Sequence, residues 1–424
     1  MPGRNRRSPK DGVAPAAAGG ILGRRALLFG GGLLGVGAAN AGAAALPVPA
    51  WGMEPGLDFE LYGQVSRFEQ HVARKITRIG DMPGNGSAQT PLHLLDGMLT
   101  PSGLHFERSH SGVPDIDPDA HRLVIHGLVK RPLMFSLETL SRYPMHSQIV
   151  FLECSGNSAY QDRESPLDAG VQAIHGSLSC TEWTGVKLSH LLDEAGVTRE
   201  AHWLLAEGAD AANMSRSIPL SKAMDDALIA IYQNGERLRP ANGYPMRLIL
   251  PGFEGSLSIK WLRRLKAIAS PMMTRDETSK YTMLLPSGRA RQFVFPMNVK
   301  SVICRPSPEL TLGAPGYYEI SGLAWSGHGS IARVEISADA GKSWAEAHLQ
   351  APVLPRALTR FRAPWRWDGS PAILQSRATD ERGHVQPRRD ALVAERGVGR
   401  AVYHYNAIQS WAVDAGGRVR NVFA

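Results

Sequence analysis

The chain has 424 residues, enough for two or three domains that each bury a full core. Hydrophobic residues make up 43% of it and prolines number 29, which argues against a disordered or membrane-embedded protein and indicates a loop-rich globular one. The net charge of +8 is concentrated at the start, because residues 1–45 hold six basic residues and one acid. The remaining charge of about +3 is too small to indicate nucleic-acid binding.

Residues 1–45 have the pattern of an export signal. Arg24 and Arg25 precede a glycine-rich, weakly apolar stretch, and small residues at 43–45 offer cleavage sites. An arginine pair before a stretch of low hydrophobicity favours the twin-arginine route, which exports folded proteins. A retained anchor is the alternative, although the stretch is too weakly apolar for a good spanning helix. We therefore predict a periplasmic protein whose odd number of cysteines leaves at least one thiol unpaired.

The next two regions differ in texture. Residues 46–95 are rich in proline, glycine and polar residues, and we predict an extended N-terminal arm. Residues 96–285 mix strand and short-helix patterns without regular βαβ spacing, which predicts an α+β domain. The individual predictions are a capped helix at 136–142, an apolar-faced helix around 186–195 closed by Gly196, buried strands at 227–233 and 246–250, and a hairpin turn at Asn234 and Gly235.

The last region, residues 292–424, shows short alternating strands and almost no helical pattern. Residues 331–337 alternate cleanly between apolar and charged side chains, and residues 339–342 then turn the chain towards Trp344. About seven such strands over roughly 130 residues predict an immunoglobulin-like β-sandwich.

Cys154 is the most informative position in the first of these domains. It follows an apolar strand at 149–153 and precedes a turn of Ser155, Gly156 and Asn157. This rigid mount presents one sulfur among backbone N–H groups, and a thiolate suits a soft or redox-active metal. With three cysteines and no CxxC or HExxH motif, a metal would need most of its ligands from outside the protein. Taken alone, a cysteine in this position is more often a packed core thiol.

Several separated motifs, in matching order, resemble those of the sulfite oxidase family of molybdenum enzymes. The similarity covers residues 95–424 and therefore both predicted domains. The motifs are Phe106-Glu107-Arg108-Ser109-His110, Glu153-Cys154-Ser155-Gly156-Asn157, Asn242-Gly243-Tyr244-Pro245-Met246-Arg247, Ser258-Ile259-Lys260 and Gly322-Leu323-Ala324-Trp325-Ser326-Gly327, with Asp210 and Tyr281 at the family's spacing.

The resemblance implies a cofactor of molybdenum held by molybdopterin. Cys154 is implied as the metal ligand, because the pterin supplies a dithiolene and needs one further thiolate. Tyr281 and Arg108 are implied as catalytic residues beside Cys154. The implied cofactor-binding residues are Phe106, Arg108, His110, Asp210, Asn242, Arg247, Ser258, Ile259 and Lys260, of which Asn242 stands where the family has histidine.

The partners implied by the resemblance are proteins. The C-terminal domain is implied to form a homodimer. The chain has no CxxCH haem motif, so the electrons are expected to pass to a separate c-type cytochrome. Cys180 and Cys304 are left as either free or bridged, since 124 residues of separation decide nothing.

Two departures from the family pattern narrow the expected substrate. Where typical sulfite oxidases have an arginine soon after the cysteine motif, this chain reads Asn157-Ser158-Ala159. Where the family has Trp-Asn-x-Arg near the C-terminus, it reads Tyr405-Asn406-Ala407-Ile408. A small dianion would lose several charge-assisted contacts without these arginines. The pattern resembles the molybdenum subunit of the sulfane dehydrogenase in thiosulfate oxidation, which implies a persulfide on a carrier protein's cysteine as substrate.

Three hypotheses follow from the sequence. The first is a periplasmic molybdenum enzyme that oxidises protein-bound sulfane sulfur towards sulfonate. The second keeps the cofactor and oxidises free sulfite to sulfate through a rearranged anion site. The third is a secreted binding protein in which Cys154 is a structural thiol, although a sandwich domain would explain none of the motifs between 106 and 281.

Overall fold

Residues 16–22 pair with the C-terminal domain, whereas residues 75–109 contribute the strands of a separate small sheet. The structure is a computed structural model that describes residues 16–22, 49–55, 57–399 and 403–424. Most of the predicted export signal, residues 1–15 and 23–45, lies outside the described residues. The elements of this part are β1 (Ala16–Ala17), β2 (Ile21–Leu22), β3 (Lys75–Arg78), β4 (Gly86–Gln89) and β5 (Glu107–Ser109).

The exposed N-terminal arm contains fewer residues than the 46–95 that the sequence pattern predicted. Residues 57–72 lie at the surface, and the side chains of Leu57, Phe59 and Leu61 are fully exposed. From Lys75 onward the chain is part of the fold, because β3, β4 and β5 form a three-stranded antiparallel sheet. This sheet matters for function because it carries the segment that begins at Phe106.

The first domain is built from two five-stranded sheets with short helices. One sheet has the strand order β11-β10-β15-β6-β7, and the other has the order β13-β12-β9-β8 with β14 also paired to β12. The elements are β6 (Leu123–Gly127), β7 (Leu133–Phe135), α1 (Leu137–Leu140), β8 (Met145–Glu153), α2 (Val171–His175), β9 (Leu178–Lys187), α3 (Leu188–Ala195), β10 (Trp203–Gly208), β11 (Ser215–Pro219), α4 (Leu220–Asp225), β12 (Leu228–Gln233), β13 (Glu236–Arg237), β14 (Arg247–Ile249), β15 (Leu262–Ile268), α5 (Arg275–Ser279), β16 (Met283–Leu284) and β17 (Ala290–Arg291).

The local predictions for this domain are confirmed. Ser136 caps α1 by accepting a hydrogen bond from the backbone N–H of Thr139. Gly196 ends α3 in the left-handed conformation, at φ 68°. Asn234 and Gly235 turn the chain between β12 and β13 with φ values of 48° and 81°. All but one of the pairings in these two sheets are antiparallel; β15 pairs with β6 in parallel.

The C-terminal domain is a β-sandwich, as the alternating pattern predicted. One sheet has the order β1-β2-β23-β19-β18 with β22 also paired to β23, and the other has the order β21-β20-β24-β25-β26. Its core includes Trp325, Trp365 and Trp411, all fully buried. The elements are β18 (Lys300–Arg305), β19 (Gly316–Trp325), β20 (Ile331–Ser337), β21 (Ala345–Glu346), β22 (His348–Leu349), β23 (Thr359–Trp367), β24 (Ala372–Asp380), α6 (Arg389–Arg396), β25 (Ser410–Val413) and β26 (Val419–Val422).

The two domains share a packed interface that fixes the end of β8. Phe151 of β8 packs against Trp325 of β19, with ring centroids 6.5 Å apart. Cys180 and Cys304 are both free thiols buried in the hydrophobic cluster that spans this interface. No helix in the described parts of the chain combines the length and apolar character that crossing a membrane requires.

Candidate active site

A cavity lies at the end of β8, between the first domain's sheets and the β3–β5 sheet. Every site residue predicted from the sequence lines it except Asn242. Its lining residues are Phe106, Glu107, Arg108, Ser109, His110, Cys154, Asp210, Met214, Arg247, Gly255, Ser256, Ser258, Ile259, Lys260, Trp261 and Tyr281. The structure therefore brings together residues that are up to 175 positions apart in the sequence.

Cys154 lies where β8 ends, on a loop closed by its own hydrogen bonds. The backbone N–H of Asn157 donates to the Cys154 carbonyl at 2.8 Å, and the Asn157 side chain spans Glu153 and the N–H of Ser177. Gly255 passes so close that an added Cβ would lie 2.9 Å from the Glu153 carbonyl oxygen. Burial raises the pKa of the Cys154 thiol, and the Gly156 N–H and the charge of Arg108 oppose that rise. A metal would displace the proton that burial retains.

A buried ionic cluster behind this loop holds it in place. Glu153 is paired with Lys300 at 3.0 Å and accepts a hydrogen bond from the Trp325 indole at 2.7 Å. Ser158, one of the positions where the family has arginine, points into this cluster and contacts the Lys300 ammonium at 2.6 Å. Its side chain is 1% exposed, and its backbone is left-handed at φ 68°. Ser158 therefore supports the loop and offers nothing to the cavity.

Arg247 and Lys260 form a cationic side of the cavity without carboxylate partners. Arg247 donates to the carbonyls of Asn242 and Ser258 at 3.1 Å, and Lys260 donates to the carbonyl of Ala241 at 3.1 Å. Among the described residues, neither makes an ion pair within 4.0 Å. Burial lowers the pKa of Arg247 to about 9 and that of Lys260 to about 7. Buried cations of this kind are costly unless an anion accompanies them.

Asn242 lies behind Arg247 and outside the cavity. Asn242 is 2% exposed, and its side-chain amide donates to the backbone carbonyl of Ser102 and to the side-chain oxygen of Gln233. The backbone carbonyl of Asn242 accepts a hydrogen bond from Arg247. The structure thus places Asn242 where it orients Arg247, and it does not line the cavity.

The segment at 106–110 forms the opposite wall. Phe106 is stacked on His105, with ring centroids 5.1 Å apart, and its N–H donates to Ser179. Arg108 donates to Asn85, to the Gly86 carbonyl and to the carbonyl of Ser109. Burial, then the charge of Arg108, lowers the pKa of His110 to about 4. His110 is therefore a neutral ring at physiological pH, and Arg108 provides the positive charge of this wall.

Asp210, Ser258 and Ile259 complete the predicted set. Asp210 is 5% exposed and accepts hydrogen bonds from Ser111 and the Met214 N–H. The Ser258 hydroxyl accepts from the Leu250 N–H at 3.1 Å, and the Ser258 carbonyl accepts from Arg247. Ile259 accepts a backbone hydrogen bond from Leu248, which fixes the β14 end of the cavity.

Sequence reasoning missed a buried charge cluster around Tyr281. Arg216 on β11 stacks on the Tyr281 ring, with its guanidinium carbon 4.2 Å from the centroid. The guanidinium is paired with Glu254 at 2.7 Å and Glu277 at 2.9 Å, and all three side chains are at most 3% exposed. Burial alone would lower the pKa of Arg216, but the two carboxylates raise it above its usual value. The positive charge of Arg216 is therefore compensated within the protein.

Residues that precede β25 close the same side of the site from the C-terminal region. Tyr403 lies against Tyr281, with ring centroids 5.5 Å apart. His404 pairs with Glu254 at 3.0 Å, and its N–H donates to the carbonyl of Ser155 at 2.7 Å. No sequence motif includes Tyr403 or His404, so only the tertiary structure shows that they lie close to Cys154.

The residues fit a molybdopterin cofactor. The described residues contain no group of three or more His, Cys, Asp or Glu side chains that could hold a metal ion, and Cys154 is the thiol among the residues that line the cavity. One thiol at the cavity wall matches a metal that already carries a dithiolene. The unpaired cations Arg247 and Lys260 match a phosphate, which would supply the negative charge that these buried groups lack.

Comparisons with known families agree with this assignment. The family model described as "Oxidoreductase molybdopterin binding domain" matches residues 110–275, and the one described as "Mo-co oxidoreductase dimerisation domain" matches residues 291–411. The matched segments fall within the first domain and the sandwich, respectively.

Individual proteins show the same relationship. Sulfite oxidase from Gallus gallus is 31% identical over 345 residues, covering 75% of this chain and 75% of that protein. An NADH nitrate reductase from Brassica napus is 31% identical over 325 residues, and this chain spans only 35% of its length. The crystal structure of the sulfane dehydrogenase SoxCD from Paracoccus pantotrophus superposes with a TM-score of 0.86 at 46% identity, covering 89% of this chain and 97% of that one. These matches remove the non-enzymatic hypothesis.

Proposed function

This chain belongs to the sulfite oxidase family of molybdenum oxidoreductases, and we propose that its substrate is a sulfane sulfur held as a persulfide on a carrier protein. It is an enzyme of sulfur oxidation whose cofactor is molybdenum held by molybdopterin. We propose further that it oxidises the bound sulfur towards sulfonate and passes the electrons to a c-type cytochrome.

The observation that carries the substrate proposal is the compensated charge beside Tyr281. Sulfite is a small dianion, and a site for it needs cations whose charge is not already used. Arg216 is matched by Glu254 and Glu277, and Ser158 faces away from the cavity. Arg108, on the wall at 106–110, is then the cation whose charge acts on the Cys154 thiol. One cation and two aromatic rings suit a persulfide, which carries at most one negative charge.

The chain's residues have distinct proposed roles around the cofactor. When bound, the cofactor supplies two-electron oxidation with transfer of an oxygen atom to sulfur. Cys154 would hold the metal, and Arg247, Lys260 and Arg108 would hold the pterin and its phosphate, with Asn242 orienting Arg247. Asp210, Ser258, Ile259, Phe106 and His110 would bind and enclose the pterin.

Tyr281 is proposed to orient oxygen near the metal. Burial and the neighbouring Cys154 charge raise the pKa of its hydroxyl far above the usual value, so the hydroxyl stays protonated. A protonated hydroxyl beside Arg216 can donate a hydrogen bond to an oxygen atom at the site without itself ionising. Tyr403, packed against it, would keep water away from that hydrogen bond.

Assembly and compartment belong to the same proposal. The similar solved structure is that of the sulfane dehydrogenase SoxCD, whose two-letter ending names two subunits. This supports the proposal that the present chain has a partner subunit. The family match over residues 291–411 is to a dimerisation domain and supports a homodimer. The arginine pair at Arg24 and Arg25 supports export to the periplasm by the twin-arginine route.

The test compares two substrates on the purified, molybdenum-loaded enzyme with ferricyanide as electron acceptor. A synthetic peptide carrying a cysteine persulfide should show a kcat/KM at least about tenfold above that of free sulfite, which corresponds to about 1.4 kcal/mol. A faster reaction with sulfite would establish the sulfite dehydrogenase alternative instead.

A variant that changes the charge around Arg216 gives a second test of the preference between sulfite and the persulfide peptide. Glu277→Gln removes one of the two carboxylates that compensate Arg216 and leaves Glu254 and its contact to His404 in place. The variant should gain activity on sulfite by about tenfold or more, because a hydrogen bond between the freed guanidinium and an anion contributes about 1.5–3 kcal/mol. Its activity on the persulfide peptide should change less. Loss of both activities in parallel would mean that Glu277 acts on folding alone.

A further inference from the structure

Residues 16–22, within the predicted export signal, lie against the C-terminal sandwich. β1 and β2 form a small antiparallel hairpin, and β2 extends the sheet at the edge of β23. Ile21 is opposite Trp365, and the backbone N–H of Arg366 donates to the Gly20 carbonyl at 3.0 Å. The other half of this edge is covered by β22, which pairs with Phe361 and Arg362. β2 therefore caps the part of the edge that the sandwich itself leaves open.

Side-chain contacts make this contact specific. Ile21 is 1% exposed and packs in the same cluster as Trp365, Trp367 and Ala338. The Trp365 indole N–H donates to the Gly19 carbonyl at 2.7 Å. The backbone N–H of Ala18 donates to the Ser343 hydroxyl at 2.8 Å.

The glycine pair before Ile21 is required by the approach of the two backbones. Gly19 and Gly20 have φ values of 76° and 88°, which disfavour other residues. A Cβ on Gly20 would lie 2.1 Å from the Arg366 carbonyl oxygen, and one on Gly19 would lie 2.8 Å from the Cβ of Ala338. The sequence Gly-Gly-Ile thus matches this groove in both backbone conformation and side chain.

The contrast with the N-terminal arm shows that this burial is selective. Leu57, Phe59 and Leu61 are larger or equally apolar, yet they are fully exposed. Apolar character alone does not place a segment near the N-terminus against the body of this protein, so the groove selects residues 16–22.

We propose that the edge of β23 is an intramolecular binding site for residues 16–22, which attaches the leader of this chain to its own folded C-terminal domain. The groove exists only when β23 and its neighbours are formed, so attachment reports on the folding of that domain. The arginine pair follows Leu22 after one residue, so the export determinant directly follows the attached strand. The attachment itself depends on neither the substrate nor the metal.

The direct test is a cross-link in the full chain. Ala18→Cys combined with Ser343→Cys should form an intramolecular disulfide under mild oxidation, since the two positions are in hydrogen-bond contact. The control pair is Ala18→Cys with Ser279→Cys, which places the second thiol at an exposed position on α5 of the first domain and should remain reduced. Equal cross-linking in both pairs, or none in the first pair, would overturn the proposal.

Single variants then test which features hold the segment. Added to the 18/343 pair, Ile21→Asp and Gly20→Val should each reduce the rate of cross-linking at least about tenfold. Leu57→Asp, the same change of chemistry at an exposed position, should leave the rate unchanged. An unaltered rate in Ile21→Asp would show that the contact does not depend on the groove. These measurements use no turnover, so they stand or fall separately from the proposed sulfur chemistry.

Discussion

The two sides of the cavity treat buried positive charge in opposite ways. On the pterin side, Arg247 and Lys260 are buried with carbonyl oxygens as their hydrogen-bond acceptors. On the Tyr281 side, Arg216 is buried between Glu254 and Glu277. The first arrangement is incomplete until an anion arrives, whereas the second is complete in the protein alone.

This difference separates binding of the cofactor from choice of the substrate. Cations without a carboxylate partner favour binding of an anion, which supports our proposal that Arg247 and Lys260 hold the pterin phosphate. A compensated cation keeps its shape and its contact with the Tyr281 ring but has little remaining attraction for a dianion. Buried arginines therefore occur in two states around this site: Arg247 has no carboxylate partner among the described residues, and Arg216, packed against Tyr281, has two.

Cys154 lies between the two sides, and its removal should have the largest effect. Cys154→Ser is expected to lower molybdenum content and to reduce activity by at least about 100-fold, because even partners of metal ligands cost 10–100-fold. Metal analysis and turnover of the purified variant are the measurements. Cys180→Ala, at a buried thiol outside the cavity, should keep its metal. A Cys154→Ser variant that retained both metal and activity would remove the ligand assignment.

Arg216→Met should reveal the compensated side through stability. The substitution leaves Glu254 and Glu277 without their shared cation, and one partner removed from a buried pair costs about 3–5 kcal/mol. Urea unfolding of the variant measures this loss. The double variant Arg216→Met with Glu277→Gln should recover part of it. If Arg216→Met alone were neutral, the cluster would be less buried than its exposure indicates.

The sequence motifs pointed to the residues of the pterin side, whereas the charge cluster beside Tyr281 was missed, for a physical reason. Arg108, Arg247 and Lys260 lie in contiguous motifs, where backbone and side chains together serve the cofactor. Arg216 lies within an ordinary alternating strand, and its partners are 38 and 61 positions away in the chain. The ion pairs of Arg216 form because β11, α5 and the loop before Gly255 meet in the folded protein. Local sequence patterns therefore do not predict them.

Local structure was predictable where one residue type determines the backbone. Ser136 and Gly196 mark helix ends, and Asn234 with Gly235 marks the hairpin, because each satisfies a specific geometric requirement. The contact of Ile21 with β23 was not predictable, since residues 1–45 as a whole fit the pattern of an export signal. Asn242 was predicted to bind the cofactor, whereas in the structure it does not line the cavity and its backbone carbonyl accepts a hydrogen bond from Arg247.

Lys260→Met, on the pterin side, should stabilise the cofactor-free protein and weaken the binding of the cofactor. Without cofactor, the variant should be more stable than the wild type, because it removes a buried charge that has no carboxylate partner. With cofactor, it should hold the pterin about ten- to 100-fold less tightly, since a charge-assisted contact is worth about 1.5–3 kcal/mol. Thermal unfolding of both forms and pterin release on dilution measure the two effects. Destabilisation of both forms would show that Lys260 is already paired in the protein.

The pH dependence of that stability difference gives the most specific effect. Burial lowers the pKa of Lys260 to about 7 from its usual 10.5, so between these values the unfolded chain binds a proton that the folded chain does not. The stability of the cofactor-free wild type should therefore rise with pH across this window, by up to about 1.4 kcal/mol per pH unit from this group. Lys260→Met lacks that contribution, so its stability advantage over the wild type should shrink as the pH rises from 7 towards 10. Urea unfolding of the two cofactor-free proteins at several pH values measures the trend. An advantage that stayed constant with pH would mean that Lys260 keeps its proton in the folded protein, and the two sides of the cavity would then differ less than their contacts indicate.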